Sequence, residues 1–242
     1  MLFRSLARAG DILASMFKRA LIILIPAVAT LVAQQPAAAP AGRGGGGKGP
    51  GRPALFFREE WKQSEKGGEH VVDQSSVANP NLELKLYGTT SKELQLTGSA
   101  TDETNPIHLW TGLCETNCAA TLRDKNNFVD LSGLGRIKWL SKTSGFQKIH
   151  PVIKLADGTL LVADRAEGSN SDWLVNEFAI ADLKWVRLDP KAVVTKGTYV
   201  KEPDLTKVDE VGFTDLMPGS GHGQGGWSDV AWIEVYGKPV KR

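Results

Sequence analysis

The chain has 242 residues, and its 29 Lys and Arg against 27 Asp and Glu give a formal net charge of +2 at pH 7. Part of the positive charge precedes residue 54, so the remainder is close to neutral and shows no basic stripe. This composition excludes a typical nucleic-acid-binding protein, and the length suits one domain with a sizeable core.

The first 33 residues have the pattern of a secretory signal peptide. Residues 1–20 are rich in Lys and Arg, and residues 21–33, LIILIPAVATLVA, form an uncharged apolar run. The run is shorter than the ~20 residues that a helix needs to cross a bilayer, and small residues follow it. We predict cleavage after Ala33. The mature protein would be secreted or periplasmic, with no stable membrane anchor; a retained signal anchor is the alternative.

Residues 34–53, QQPAAAPAGRGGGGKGPGRP, are dominated by Gly, Ala and Pro. A segment of this composition cannot bury enough apolar surface to offset the entropy of ordering it. We predict a disordered linker. Its charges are all positive, so contact with an anionic envelope polymer is an alternative to a plain spacer.

Residues 54–242 are predicted to form one β domain. Residues 54–61 open it with an apolar strand. Residues 81–87, NLELKLY, alternate strictly between apolar and polar side chains, which predicts a half-buried strand. Residues 93–96 are a weaker strand candidate.

Cys114 and Cys118 are the two cysteines of the chain, and in an exported protein they are expected to pair. Along one extended strand, cysteines four residues apart would be separated by ~13 Å, too far for a disulfide. We therefore predict that residues 107–114 and 118–124 form a hairpin with the disulfide at its neck. The spacing is not C-x-x-C, and two cysteines alone make a poor metal site.

The segment from residue 130 to residue 164 reads as three consecutive strands. The first, residues 136–142, alternates between apolar and polar side chains. Residues 148–156 and 159–164 flank Asp157 and Gly158, a dipeptide that favours the tight turn of a β-hairpin.

Five further strands follow, at residues 173–180, 183–188, 199–200, 208–214 and 230–236. No segment keeps a helical period for three turns. Several short strands separated by turn residues predict an all-β fold, an antiparallel β-sandwich.

The second half resembles the jelly-roll domains of the galactose-binding-like superfamily. The closest pattern is that of the complex I intermediate-associated proteins and related carbohydrate-binding modules, and the chain is also similar to secreted bacterial proteins of uncharacterised function with a sugar-related sandwich domain. The matching residues are Leu131-Ser132-Gly133, Phe178-Ala179-Ile180 followed by Asp182-Leu183, Leu205 and Val208 before Val211-Gly212-Phe213, and Trp232-Ile233.

This resemblance spans residues 130–237. The chain departs from the pattern in lacking a proline before Asp182 and in carrying a glycine-rich insertion at residues 218–226. The resemblance implies a sandwich that binds glycans or proteins on a concave face or at loop tips. It brings no catalytic residue that could be assigned to this chain.

No catalytic or cofactor motif is present. The four histidines have no metal-binding spacing, no G-x-S-x-G motif occurs, and residues 218–226 lack the G-K-[ST] ending of a phosphate loop. We predict no cofactor and assign no metal site. A glycosidase needs two carboxyl groups at suitable separation, and the candidates are Asp172, Glu177, Asp215, Asp229 and Glu234.

The seven tryptophans are the most informative residues for function, because sugar rings stack on flat aromatic side chains. Trp139 and Trp185 lie within alternating apolar segments and are predicted to be core residues. Trp173 and Trp227 lie beside loops, where aromatic side chains are available to a ligand; that they plug the ends of the sandwich is the alternative. The predicted binding residues are Trp173, Trp227, Asp172, Asn170 and His222.

The sequence therefore predicts an exported, non-catalytic β-sandwich module that binds a carbohydrate or a cell-envelope polymer. One alternative is a secreted sugar-active hydrolase that uses a carboxylate pair. The other is a structural or adhesive envelope protein without a small ligand.

Overall fold

The computed structural model describes residues 51–63, 68–88, 91–114, 117–191, 197–216 and 226–242. The predicted signal peptide, most of the predicted linker, and His222 lie outside these residues. No helix in the described ranges is long and apolar enough to cross a membrane.

The described residues form sixteen β-strands and three short 3-10 helices, at Gln74–Ser76, Ser91–Glu93 and Ile180–Asp182. The strands are β1 (Leu55–Glu59), β2 (His70–Val71), β3 (Leu82–Tyr87), β4 (Gln95–Thr97), β5 (His108–Trp110), β6 (Cys118–Asp124), β7 (Asn127–Asp130), β8 (Arg136–Ser144), β9 (Lys148–Leu155), β10 (Leu160–Ala163), β11 (Leu174–Ala179), β12 (Trp185–Arg187), β13 (Tyr199–Val200), β14 (Val208–Leu216), β15 (Trp227–Tyr236) and β16 (Lys238–Lys241).

In the described part of the chain these strands form two antiparallel sheets. The seven-stranded sheet has the order β11-β8-β15-β5-β4-β2, and β1 pairs with β15. The nine-stranded sheet has the order β13-β12-β10-β9-β14-β6-β3, with β7 beside β14 and β16 beside β7. The predicted all-β antiparallel sandwich is confirmed.

The core lies between the two sheets. Trp139 of β8 is fully buried, and its ring centroid lies 4.9 Å from that of Phe178 in β11 and 6.5 Å from that of Phe213 in β14 of the opposite sheet. Trp185 is buried as well, so both tryptophans predicted for the core lie there. Along β8 every second residue is buried, which leaves the alternate side chains on the outer face of the seven-stranded sheet.

The hairpin predicted at Asp157 and Gly158 is confirmed. It joins β9 to β10 in the nine-stranded sheet, and Gly158 has a φ of +88°, a conformation that glycine adopts without steric cost. The Asp157 carboxylate accepts a hydrogen bond from the backbone N–H of Thr159 at 2.8 Å. The preceding strand, β8, belongs to the other sheet.

The Cys114–Cys118 disulfide is confirmed, with a Cα–Cα distance of 6.1 Å. The predicted hairpin around it is wrong, because β5 pairs with β4 and β15 whereas β6 pairs with β3 and β14. Cys114 lies beyond the end of β5 in a turn, where its N–H donates to the carbonyl oxygen of Thr111 at 2.9 Å. The turn brings the two Cα atoms together without strand pairing, and the disulfide closes a crossing from one sheet to the other.

Candidate functional site

The outer face of the seven-stranded sheet is set by the pairing of β8 with β15. Lys142 is opposite Asp229, and Ser144 is opposite Trp227. Side chains of directly paired residues project from the same side of a sheet. Because the neighbouring Ser141 is buried, Lys142, Asp229 and Trp227 all belong to the outer side.

Two predicted binding residues, Trp173 and Trp227, meet on this face at Lys142. The Lys142 ammonium lies 5.0 Å from the ring centroid of Trp173 and 5.2 Å from that of Trp227. Both tryptophans are partly exposed. In contacts of this kind the cation is attracted electrostatically to the face of the ring. The structure thus brings two loop-flanking indoles to one point.

Trp173 is held in place by two further contacts. Its indole N–H donates to the carbonyl oxygen of Thr104 at 3.1 Å. Its ring packs edge-on against the imidazole of His108, with 5.3 Å between the centroids. These contacts orient the ring and leave it partly exposed, which is the state that stacking of a ligand requires.

A buried acid and a buried imidazole lie beside Lys142. Oδ1 of Asp229 is 3.4 Å from Nε2 of His108, and Oδ2 is 3.6 Å from Nζ of Lys142. Burial raises the pKa of Asp229 to about 7, although Lys142 opposes the shift. Burial lowers the pKa of His108. The imidazole is therefore neutral at pH 7. Its contact with Asp229 is a polar contact and not an ion pair.

These residues line a groove of ≈ 250 Å³. Its walls are Glu69, Thr97, Asn105, His108, Trp110, Lys142, Trp227 and Asp229. The groove combines indole surface with amide, hydroxyl, carboxyl and ammonium groups. The indoles can stack on the flat apolar face of a ligand, and the polar groups can form hydrogen bonds with the rim of that ligand.

A β-bulge in β15 aligns a further tryptophan with this groove. Val230 pairs with Ser141, and Trp232 pairs with the next residue of β8, Leu140. Ala231 is the extra residue, and it places Trp232 on the outer side with Trp227. Without the bulge, two residues five positions apart would point to opposite faces.

Trp232 lines a second groove of ≈ 350 Å³ on the same face, together with Trp61, Ile107 and Leu140. The guanidinium of Arg58 lies 4.5 Å from the centroid of the Trp232 ring. The two grooves share the outer side of β8 and β15, so the aromatic surface extends beyond Lys142.

The other predicted binding residues have varied positions. Asn170 is partly buried and tied to the loop: its side-chain amide donates to the carbonyl oxygen of Asp172 at 2.7 Å, and its N–H donates to Oγ1 of Thr143 at 2.9 Å. Asp172 is exposed. His222 lies outside the described residues.

The candidate carboxylates do not share one environment. Hydrogen bonds from Lys138 and Arg136 lower the pKa of Glu177. Burial opposes ionisation of Glu234, but hydrogen bonds from Tyr236 and Arg58 lower its pKa. Asp215 is fully buried and accepts a hydrogen bond from Thr111 Oγ1 at 2.5 Å. Asp229 has a raised pKa and lines the groove of Lys142.

Sequence reasoning missed His108, Trp110 and Lys142 as groove residues. The predicted hairpin, which is wrong, contains His108 and Trp110, and the alternation of residues 136–142 gives Lys142 no role of its own. Alternation along β8 does put Lys142 on the outer face. Its partners on β5 and β15 are distant in sequence, and no local pattern identifies them.

In the described ranges no group of three or more His, Cys, Asp or Glu side chains is arranged to hold a metal ion. No protein-family model matches this chain, and no curated protein matches it.

Among solved structures, the chain is similar to a family 11 carbohydrate-binding module of a cellulosomal cellulase from Clostridium thermocellum. The identity is 14%, the TM-score is 0.37, and the match covers 74% of this chain and 95% of that chain. A family 11 module from the same organism, in complex with a β-1,3-1,4-mixed-linked tetrasaccharide, has 17% identity, a TM-score of 0.40, and coverage of 72% and 98%.

An exo-β-agarase is similar with 7% identity and a TM-score of 0.38, over 78% of this chain and 25% of that chain. What those proteins bind or cleave is said of them alone and is not carried over to this chain.

Proposed function

We propose that this chain is an exported, non-catalytic module that binds carbohydrate on the outer face of its seven-stranded sheet. The proposal rests on one observation: Trp173 and Trp227, both partly exposed, converge on the Lys142 ammonium at the edge of a polar groove. We further propose a secreted or periplasmic location, which follows from the pattern of residues 1–33.

The chemistry of the groove suits a sugar. A pyranose ring has an apolar face of C–H groups and a rim of hydroxyl groups. The indoles supply flat surface for the C–H face, while Lys142 donates hydrogen bonds and Glu69 and Asn105 accept them. Since the Trp173 indole is already fixed by Thr104 and His108, stacking costs little additional ordering.

A glycan array tests this function. The chain from residue 34 onward is expected to bind at least one class of oligosaccharide or polysaccharide, and the double variant Trp173→Ala/Trp227→Ala is expected to lose that binding. The matched control is Phe146→Ala, since the Phe146 side chain is 76% exposed and lies outside the groove.

Two results would contradict the proposal. One is an array without any bound glycan. The other is a bound glycan whose signal is the same for the wild-type chain and the double variant. Loss of binding in Phe146→Ala as well would show that the effect is not specific to the groove.

A second candidate function is a sugar-active hydrolase, and Asp229 is the observation that favours it. A general acid at neutral pH needs a raised carboxyl pKa, and burial raises the pKa of Asp229 to about 7. The hydrolase would be established if the chain released reducing sugar from a bound glycan and Asp229→Asn abolished this release. The variant should still bind the glycan. Binding without product release would leave the non-catalytic module.

A further inference from the structure

A further pocket lies at the opposite end of the same outer face. It is a pocket of ≈ 200 Å³ lined by Arg52, Pro53, Arg136, Lys138 and Tyr236. Three of its five residues carry a permanent positive charge. The aromatic ring of Tyr236 forms part of the wall, and the Lys138 ammonium lies 5.3 Å from the centroid of that ring.

The strand register gives the distance between this basic pocket and the indole groove. Arg136 pairs with Tyr236 at one end of β8, and Ser144 pairs with Trp227 at the other. The eight residue-to-residue steps from position 136 to position 144 correspond to ~26 Å at ~3.3 Å per step. A ligand that reached both sites would therefore be a chain of several sugars.

The space between the two sites also presents an aromatic side chain. Trp232 pairs with Leu140, midway along β8 between the two ends. The bulge at Ala231 keeps Trp227, Trp232 and Tyr236 on the same side. The outer face thus carries an aromatic side chain at three points along one strand, each with a basic side chain against its ring.

The basic pocket keeps an excess of positive charge after its internal ion pairs are counted. Glu177 bridges two of its cations: Oε1 accepts from Arg136 at 2.7 Å, and Oε2 lies 3.0 Å from Nζ of Lys138. Arg52 is exposed and forms no ion pair with any other described residue. Glu177 is therefore shared between two of the three cations of the pocket.

The nearest other carboxylate, Glu234, is already engaged. It accepts from the Arg58 guanidinium with one oxygen and from the Tyr236 hydroxyl with the other, at 2.6 Å. It also pairs with Lys138 in the strand register, and the two charges interact, but each of its oxygens already accepts one hydrogen bond from another residue. The remaining donors of Arg52, Arg136 and Lys138 are thus left for an external anion.

We propose that the basic pocket binds the anionic group of an acidic polysaccharide, so that the ligand of this chain is an acidic rather than a neutral glycan. This inference rests on the proposed function. A guanidinium matches carboxylate and sulfate oxygens with two parallel hydrogen bonds, and an ammonium adds a point charge. The Tyr236 ring takes the face of the sugar that carries the anionic group, and the chain continues along β15 to the indole groove.

The test uses pairs of polysaccharides that differ in charge and not in backbone. Polygalacturonate is compared with its fully methyl-esterified form, and dextran sulfate with dextran, by affinity electrophoresis and calorimetry. We expect at least one acidic polymer to bind about tenfold more tightly than its neutral counterpart, as one or two hydrogen bonds to a charged group would produce. The polymer that binds identifies carboxylate or sulfate as the recognised group.

Three variants locate the effect. Arg136→Gln and Lys138→Gln are each expected to weaken binding of the acidic polymer about tenfold without changing binding of the neutral one. Arg52→Gln keeps the test valid if those variants perturb the sheet, because Arg52 is exposed and has no ion pair among the described residues. Arg187→Gln is the control: it removes the same charge from an exposed position of β12 in the other sheet.

Equal affinity for the acidic and the neutral polymer, with both sensitive to Trp173→Ala/Trp227→Ala, would overturn this inference and leave the proposed function intact. Absence of binding by every polymer would overturn this inference, and the glycan array would then decide the proposed function. Equal loss of acidic-polymer binding in Arg187→Gln would show a general charge effect, and it would also overturn the assignment of the pocket.

Discussion

Oδ1 of Asp229 lies 3.4 Å from Nε2 of His108, and both side chains are almost completely buried. Nδ1 of His108 is 2.6 Å from the carbonyl oxygen of Pro106, to which it donates. A neutral His108 then has only a lone pair on Nε2. Oδ1 of Asp229 has no hydrogen-bond partner among the described residues, so an ionised Asp229 would place a buried negative charge against that lone pair, which agrees with the raised pKa of Asp229.

This pair makes the stability of the folded chain depend on pH. Burial raises the pKa of Asp229 from 3.8 to about 7, with Asp215 adding to the shift and Lys142 opposing it. At a pH between these two pKa values, Asp229 has released its proton in the unfolded chain and retains it in the folded chain. The free energy of unfolding therefore falls as pH rises from about 4 to about 7. At ~1.4 kcal/mol per unit, this contribution amounts to a few kcal/mol.

The variant Asp229→Asn isolates that contribution. It is expected to lose less stability than the wild-type chain between pH 4 and pH 7, as measured by urea unfolding. The pKa of His108 is lowered by burial, which works in the opposite direction, and the pKa of Glu167 is raised to about 7 by burial. Glu167 is present in both proteins, so its contribution cancels in the comparison, whereas His108 lies 3.4 Å from Asp229 and its contribution changes with the substitution. The exposed Asp172→Asn is the control, and identical pH profiles for Asp229→Asn and wild type would contradict the expectation.

Glu59 is predicted to be essential for stability. Its carboxylate is fully buried and accepts hydrogen bonds from the backbone N–H groups of Trp61 at 2.9 Å, Ala78 at 2.6 Å and Asn79 at 2.9 Å. An unpaired buried donor costs ~1–3 kcal/mol, so Glu59→Ala should lower the free energy of unfolding by about 3 kcal/mol or more. The adjacent Glu60→Ala, whose side chain is 62% exposed, should change it by less than ~0.5 kcal/mol. Similar losses in the two variants would contradict this role.

The disulfide is expected to have a modest effect on stability. Cys114 and Cys118 close a very short loop, and the entropy removed from the unfolded chain is smaller than the ~3 kcal/mol of a 15-residue loop. Cys114→Ser/Cys118→Ser should remain folded and lose about 2 kcal/mol in chemical denaturation. A reductant should reproduce the loss in the wild-type chain and have no effect on the variant. Alkylation of native protein followed by mass spectrometry should detect no free thiol.

Residues before Gly51 are predicted to be dispensable for folding. Residues 34–53 are rich in Gly, Ala and Pro and offer little to a core. The ladder of β1 begins at Leu55, and the carbonyl oxygen of Ala54 accepts from the N–H of Gly237 at 3.2 Å; a chain that begins at Gly51 retains both. Its melting temperature should be within a few degrees of that of the chain from residue 34. A larger fall would show that the preceding residues stabilise the domain.

Strict local alternation was sufficient to predict strands β3 and β8, and the turn residues Asp157 and Gly158 were sufficient to predict the β9–β10 hairpin. In each case the signal lies within a few consecutive residues. Burial of one face, or the positive φ of a glycine, depends on the local chain and can be read from it.

Pairing between distant strands could not be predicted in this way. The sequence indicates that residues around His108 form a strand, but not that the strand pairs with Asp229 and Val230 instead of with β6. The bulge at Ala231 places the side chains of Trp227 and Trp232 on the same side of the sheet. Strict alternation would place them on opposite sides. The tryptophans were identified from their loop-flanking positions, whereas the Lys142 ammonium between them depends on tertiary structure.

The final prediction separates ligand stacking from core packing. Trp173 and Trp227 are partly exposed and each contacts Lys142, whereas Trp139 is fully buried. Trp173→Ala and Trp227→Ala should each weaken a bound glycan by ~1–3 kcal/mol, the range found when an aromatic side chain that stacks on a nucleic-acid base is removed. Their free energies of unfolding should change little.

Trp139→Ala should instead lower the free energy of unfolding by ~3–5 kcal/mol, because it leaves a cavity between the sheets. Glycan titrations give the binding free energy of each of the three variants, and urea unfolding gives the free energy of unfolding of each. A large loss of stability in Trp227→Ala, comparable with that of Trp139→Ala, would mean that Trp227 closes the end of the sandwich and has no free ring for a sugar. Lost binding with retained stability in both Trp173→Ala and Trp227→Ala would place the ligand between the two indoles beside Lys142.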